Sequence, residues 1–184
     1  MMYIFGYGSL INSASRQLTG QTGRAIPVVA HGLVRYWGKI DESYILSPLV
    51  VNEGQGQVNG VLLEIDETAL AEFDRRERGY ERVPLNANQI ESDDAFNLQC
   101  PIWVYVKEAP EPPCERSPIV QTYVDTVLAG CLEFSETFAR HFIEHTVGWQ
   151  HPLINDRLAP KYGNLAGVEP CHHAIIDELM ATVR

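Results

Sequence analysis

Apolar residues follow two regimes along this chain. Up to residue 107 they come in short runs of β-branched and aromatic side chains broken by turn formers, and beyond it they recur at helical spacing. The first regime predicts strands at 2–5, 26–36, 44–51, 58–65, 81–90 and 100–107. In the fourth, Val58, Gly60 and Leu62 alternate with Asn59, Val61 and Leu63, so a strand buried on both faces is expected. One helix interrupts the series: Asp66 caps its first turn, Ala69, Leu70 and Phe73 form an apolar stripe, and Gly79 suits its C-terminus. The second regime predicts helices at 118–131, 135–147 and 171–183, started by Ser117-Pro118, Ser135 and Glu169-Pro170.

Strands first and helices afterwards indicate an α+β class. The stiff run Glu108-Ala109-Pro110-Glu111-Pro112-Pro113 reads as an exposed connector between the two parts. A second irregular stretch, Gly148 to Val168, is rich in Gly, Pro and Asn; its Trp149 and Tyr162 either close over a pocket or pack against a second copy in a homodimer. The 184 residues, 45% of them hydrophobic, support one sizeable core and a single domain over 1–184.

Charge narrows the partners. The net charge of −10, with cations clustered only at Arg75, Arg76 and Arg78, argues against a nucleic-acid surface. No run has the length of a membrane span, and Met1 to Phe5 lacks the features of a signal peptide, which leads to the expectation of a cytoplasmic protein with no membrane partner. Cys100, Cys114, Cys131 and Cys171 are widely spaced and read as reduced thiols.

Two stretches carry candidate chemistry. The first strand runs into Gly6-Tyr7-Gly8-Ser9-Leu10, where alternate glycines permit positive φ and let the N–H groups of Gly8, Ser9 and Leu10 converge on a small carboxylate. Ile11 stands where a dinucleotide fingerprint needs Gly or Ala, and no Gly-Lys-Ser/Thr follows, so a nucleotide is not implied. The same residues also make an ordinary strand-to-helix turn. The second stretch is the end of the helix begun at Asp66. Asp74 and Glu77 are three residues apart on its last turn, where the negative end of the dipole raises both proton affinities and suits Glu77 as a base. A solvated helix end paired with the neighbouring arginines fits that spacing as well.

Ile4-Phe5-Gly6-Tyr7-Gly8-Ser9-Leu10-Ile11 together with Phe73-Asp74-x-Arg76-Glu77-x-Gly79-Tyr80 resembles the gamma-glutamylcyclotransferase superfamily, in particular its ChaC-type and gamma-glutamylamine cyclotransferase-like members. The resemblance implies a small mixed β-barrel flanked by helices. It implies that Tyr7, Gly8, Ser9 and Leu10 hold a γ-glutamyl group and that Glu77 accepts a proton. It also implies substrate contact for Tyr123, which follows Pro118 and precedes Gly130, although Tyr123 equally falls in the core stripe of Ile119, Val120, Val124, Val127, Leu128 and Cys131. Residues 1–131 are then a cyclotransferase-like core and 132–184 a helical C-terminal extension outside the resemblance. The chain departs from human-type members at Arg78, where Gly usually follows the catalytic Glu; Arg78 and Arg82 are candidates for reading the leaving group.

The implied reaction is metal-independent. A γ-glutamyl compound holds its α-amine within reach of its γ-carbonyl, so intramolecular aminolysis closes a five-membered ring, gives 5-oxoproline and releases the attached amine, amino acid or dipeptide. A carboxylate must accept a proton from the α-ammonium, whose ordinary pKa is about 8. No cofactor is expected. The alternative is a non-catalytic binder of an acidic metabolite or partner protein on the same fold. A third reading takes His141-Phe142-Ile143-Glu144-His145 as the H-x-x-E-H pattern of inverted zinc peptidases, against a helix already explained by Phe138, Phe142 and Ile143. Cys171-His172-His173 has no second cluster at ligand spacing.

Overall fold

The structure, a computed structural model, describes all of residues 1–184 except Thr22, Glu42 and Ala109. Its centre is β1 (Met2–Gly6), whose last four residues are buried; such a strand must lie inside a sheet. It pairs antiparallel with β3 (Leu49–Ile65) and parallel with β6 (Ile102–Val106). β2 (Ala25–Trp37) continues on the far side of β3, from Ala25 opposite Leu63 to Trp37 opposite Leu49. β4 (Glu81–Leu85) closes one edge against β6, while β5 (Ile90–Glu91) and β8 (Thr146–Val147) pair with β2. The order β4-β6-β1-β3-β2-β5 makes a curled, half-barrel sheet of mixed direction, flanked by helices.

Three strand expectations need correction. The predicted strands 44–51 and 58–65 are one strand, β3, because Asn52 to Gln57 are polar where the β2–β3 ladder reaches into solvent and not where it turns. Residues 44–48 are not strand: Ser47 donates its N–H to Pro118 O at 2.8 Å and its hydroxyl to Ser117 O at 2.5 Å, so this backbone is tied to the entrance of a helix. The predicted strand 81–90 is broken by a 3-10 turn at Ala87–Gln89, with Asn86 capping it and Gln89 bonding back. Of the expected connector 108–113, Ala109 lies outside the described residues, and Pro113 is buried.

The helices cover the two faces of the sheet. α2 (Glu67–Arg76) starts at Asp66, which accepts from Ala69 N at 2.8 Å, and seats Phe73 against Ile4, Val61, Leu63 and Tyr105. On the other face α3 (Gln121–Phe134), buried from Gln121 to Cys131, packs Val124, Val127 and Leu128 against Phe5, Val51 and Leu62. Strand 58–63 therefore lies between two apolar layers, as its pattern predicts. α1 (Ser13–Leu18), absent from the sequence reading, is capped by Asn12, which accepts from Ser15 N at 3.0 Å.

Residues beyond 131 join the same core. α4 (Glu136–Glu144) and α5 (Pro170–Met180) contribute Phe142, Ile143, Ile176 and Leu179 to the cluster that holds Phe5 and Val51. β7 (Ile119–Val120) and β9 (Leu153–Ile154) form a small parallel pair that brings the 148–168 segment to the start of α3. No helix among the described residues is long and apolar enough to cross a membrane.

Candidate active site

Where β1 ends, the chain passes through Tyr7 and Gly8 into a 3-10 turn at Ser9–Ile11. That turn borders a cavity of about 470 Å³ into which α2 delivers Glu77 and α3 delivers Tyr123. The six positions singled out from sequence, Tyr7, Gly8, Ser9, Leu10, Glu77 and Tyr123, all line this one space.

The reason for glycine in the loop differs from the expectation. Neither Gly6 nor Gly8 has positive φ, and Gly8 sits at φ −132° and ψ −127°. What Gly8 provides is proximity: a Cβ there would lie 3.0 Å from the phenolic oxygen of Tyr123. The loop and α3 touch through that missing side chain.

Tyr7 is committed to the fold through its polar atoms. Its hydroxyl donates to Tyr105 O at 2.6 Å, and its carbonyl accepts from Arg35 Nη1 at 3.1 Å. Arg35, fully buried, also donates to Asn59 O at 2.7 Å, Asn59 Oδ1 at 2.8 Å and Thr146 Oγ1 at 2.9 Å, and its guanidinium carbon lies 3.9 Å over the Phe142 ring. Burial pulls Arg35 down to about 9, which leaves it charged at neutral pH. This cation behind the loop escaped the sequence reading. Its signal was alternation, since Leu33, Arg35 and Trp37 share the inward face of β2.

Glu77 is the residue at which α2 stops. Its N–H still bonds Phe73 O at 2.8 Å, and Gly79, with φ +90°, then turns the chain toward β4. The half-buried carboxyl is held above the usual carboxylate range by burial, with Arg76 pulling weakly the other way. Asp74, three residues earlier, accepts from Tyr105 Oη at 2.7 Å, lies 3.4 Å from Arg82 Nε and is not part of the cavity lining.

Tyrosines make most of the remaining wall. Tyr80 donates to Leu49 O at 3.2 Å. Burial, with Tyr162 as the next cause, pushes Tyr123 far up, while the amides of Leu49 and Ser9 act on its oxygen in the opposite sense. Tyr80 is raised by burial too, so both stay neutral, Tyr80 as a donor to Leu49 O and Tyr123 with its oxygen facing the two amides. Tyr44, Tyr162 and Asn164 complete the lining. Of the two aromatic candidates in 148–168, Tyr162 stands edge-on to Tyr123 with ring centres 4.7 Å apart, whereas Trp149 is in the core against Trp37 at 5.3 Å. Arg78 and Arg82 do not line the cavity.

The metal candidates do not assemble. His141 and His145 stack on each other at 4.2 Å, His172 Nδ1 accepts from Glu169 N in a helix cap, and among the described residues no three His, Cys, Asp or Glu side chains form a group that could hold a metal ion. Burial pulls His141 down to about 4.

The family model for gamma-glutamyl cyclotransferase, AIG2-like, matches residues 4–123, which includes the loop, Glu77 and Tyr123. The chain belongs to this family. No curated protein matches it. Among solved structures it is similar to an uncharacterised human protein, LOC79017, with a TM-score of 0.62 and 14% identity over 96% of this chain and 98% of that one. A gamma-glutamyl cyclotransferase gives a TM-score of 0.60 and 13% identity over the same shares of the two chains, 96% and 98%. YkqA from Bacillus subtilis gives 0.56 and 22% over 79% of this chain, which spans 55% of YkqA. At such identities these likenesses establish the shared fold. The extent of the match with the first two, beyond residue 123, includes the helices after it.

Proposed function

We propose that this family member cyclises the γ-glutamyl group of a small substrate to 5-oxoproline and releases the attached amine. The observation that carries the reading is a single raised-pKa carboxyl, Glu77, in a tyrosine-walled cavity bordered by the Tyr7–Leu10 loop. A carboxyl whose proton affinity is raised by burial is suited to take a proton from an ammonium and return it to a departing nitrogen.

The steps balance through this one group. Glu77 accepts a proton from the α-ammonium, and the freed amine attacks the γ-carbonyl carbon. The carbon–nitrogen bond to the leaving group breaks as Glu77 donates its proton to that nitrogen. The ring nitrogen gives up its second proton by the same route, so 5-oxoproline and an ammonium product leave and the carboxylate is restored. The oxyanion formed during attack is stabilised by donors at the loop and by the phenol of Tyr123. Holding the substrate folded supplies the rest, since proximity contributes about 7–11 kcal/mol in the best intramolecular cases.

The test is incubation with glutathione, γ-glutamyl amino acids and γ-glutamyl amides, with 5-oxoproline read by mass and Glu77→Gln run in parallel. Product that disappears in the variant is the expected result. Binding without product from every substrate moves the protein to the class of non-catalytic binders.

A further inference from the structure

The cavity has a deep end and a rim. Tyr7 and Gly8 at the deep end are buried, whereas Tyr44 and Ile45 are 37% and 63% exposed. Further lining comes from two irregular segments, Tyr44–Leu46 before β3 and Tyr162 with Asn164 before α5. Both are anchored. Ser117 Oγ donates to Tyr44 O at 2.6 Å, and Ser15 Oγ donates to Asn164 O at 3.1 Å. Asp156 holds the near end of the second segment through Thr122 N at 2.8 Å and Thr122 Oγ1 at 2.6 Å. Both segments are thus tied to neighbouring elements by hydrogen bonds.

Its chemistry is one-sided. Among the described residues no Lys, Arg or His lines the cavity, and Glu77 is its one carboxyl. Lys39 and Lys107 act on Asp41 at the foot of the first segment, and neither belongs to the lining. A γ-glutamyl substrate brings its own α-carboxylate, which would sit against the Tyr7–Leu10 loop and its neutral donors. A second carboxylate, on the departing half, would meet tyrosine rings, Ile45 and Leu46, with the neutral side chains of Ser43 and Asn164 but no cation among the described residues to replace its water, and would share the space with the Glu77 carboxylate.

We propose that Tyr44–Leu46 and Tyr162–Asn164 form the leaving-group subsite, and that it selects substrates whose departing amine has an apolar, uncharged substituent over those whose departing amine bears a carboxylate. The proposal rests on the cyclisation reading above. It assigns specificity to residues 162–164, which lie outside the stretch that the family model matches. Glutathione and free γ-glutamyl amino acids are accordingly poor substrates, and γ-glutamyl alkyl and aryl amides good ones.

Matched pairs test this. γ-Glutamylphenylalanine against its C-terminal amide, and glutathione against its glycine ethyl ester, differ in the one charge, and kcat/KM for 5-oxoproline should favour the uncharged member by about tenfold or more, mostly through KM. Equal rates, or faster turnover of the acids, overturn the proposal and leave the cyclisation reading intact. No product from any member removes both. Ile45→Arg, at an exposed position that the fold does not depend on, supplies the missing cation and should narrow the gap by improving the acids; an unchanged ratio counts against the subsite. Tyr162→Ala should lower kcat/KM for the phenethylamide of γ-glutamate and spare the methylamide, whereas an equal loss on both would mean that the ring only supports the wall.

Discussion

The deep end of the cavity and its rim are made from different kinds of chain. The deep end is assembled from the ends of regular elements: β1 delivers the loop, α2 stops at Glu77 and α3 begins beside Tyr123. Its backbone is fixed from behind by Arg35, whose donors reach Tyr7 and Asn59. The rim is irregular chain that gains its shape from hydrogen bonds to other elements. Groups that must be placed for chemistry sit where rigid elements end, and groups that sort substrates sit on loops, which change sequence without disturbing the core.

The largest test of this division is Glu77→Gln. It keeps the shape of the side chain and removes its proton transfer, so kcat should fall about 10²- to 10⁴-fold with an unchanged circular dichroism spectrum. A variant with near-native turnover would show that the base is elsewhere. Arg35→Met separates support from chemistry. It leaves the carbonyls of Tyr7 and Asn59 without their donor inside the core, and should cost about 2–4 kcal/mol in denaturant unfolding while also raising KM. Stability loss with an unchanged KM would mean that the loop holds its form without the guanidinium.

A smaller effect probes the contact between loop and α3. Gly8→Ala places a methyl 3.0 Å from the Tyr123 oxygen, and the buried ring has little freedom to move. The expected cost is about 1–3 kcal/mol of stability together with weaker substrate binding. Tyr123→Phe in the same chain removes the oxygen and should restore most of the stability but not the binding. If the double variant is no more stable than Gly8→Ala alone, the oxygen is not what excludes a side chain at position 8.

The same division explains what could be read from sequence. The glycine loop and Glu77 were legible because each is a short run of residue types, chemically specific and local, at the end of a predictable element. Asp74 is bonded to Tyr105 and lies beside Arg82, partners on β6 and β4 that helical spacing does not encode. Tyr44 and Asn164 gave no signal, since they reach the cavity through bonds to Ser117 and Ser15 that no local pattern encodes. Strand β3 was split in two because solvent exposure and chain reversal produce the same polar residues at Asn52 to Gln57. Arg35 stood in plain alternation with Leu33 and Trp37, yet an arginine in a strand is ordinarily assigned to the outer face.

The least effect, and the one that isolates the charge of the deep end, concerns stability against pH. Burial raises the pKa of Glu77 in the folded protein above its value in the unfolded chain, so the native state binds this proton more tightly. Its contribution to stability is then fully present below the ordinary carboxylate range and is lost as pH rises through the raised value. Above that raised value the ionised carboxylate is a cost to the fold that glutamine does not impose. Glu77→Gln should therefore be more stable than the native chain at pH 8, and that advantage should shrink as the pH falls, with every other group titrating alike in both proteins. On the same axis, the acid limb of kcat/KM should rise as pH climbs through that raised value, because only the ionised form accepts the ammonium proton. Urea midpoints of both proteins at pH 8 and pH 4 measure the difference. A gap that is the same at both would mean that the carboxyl is solvated in the folded state and that a base in this cavity owes nothing to burial.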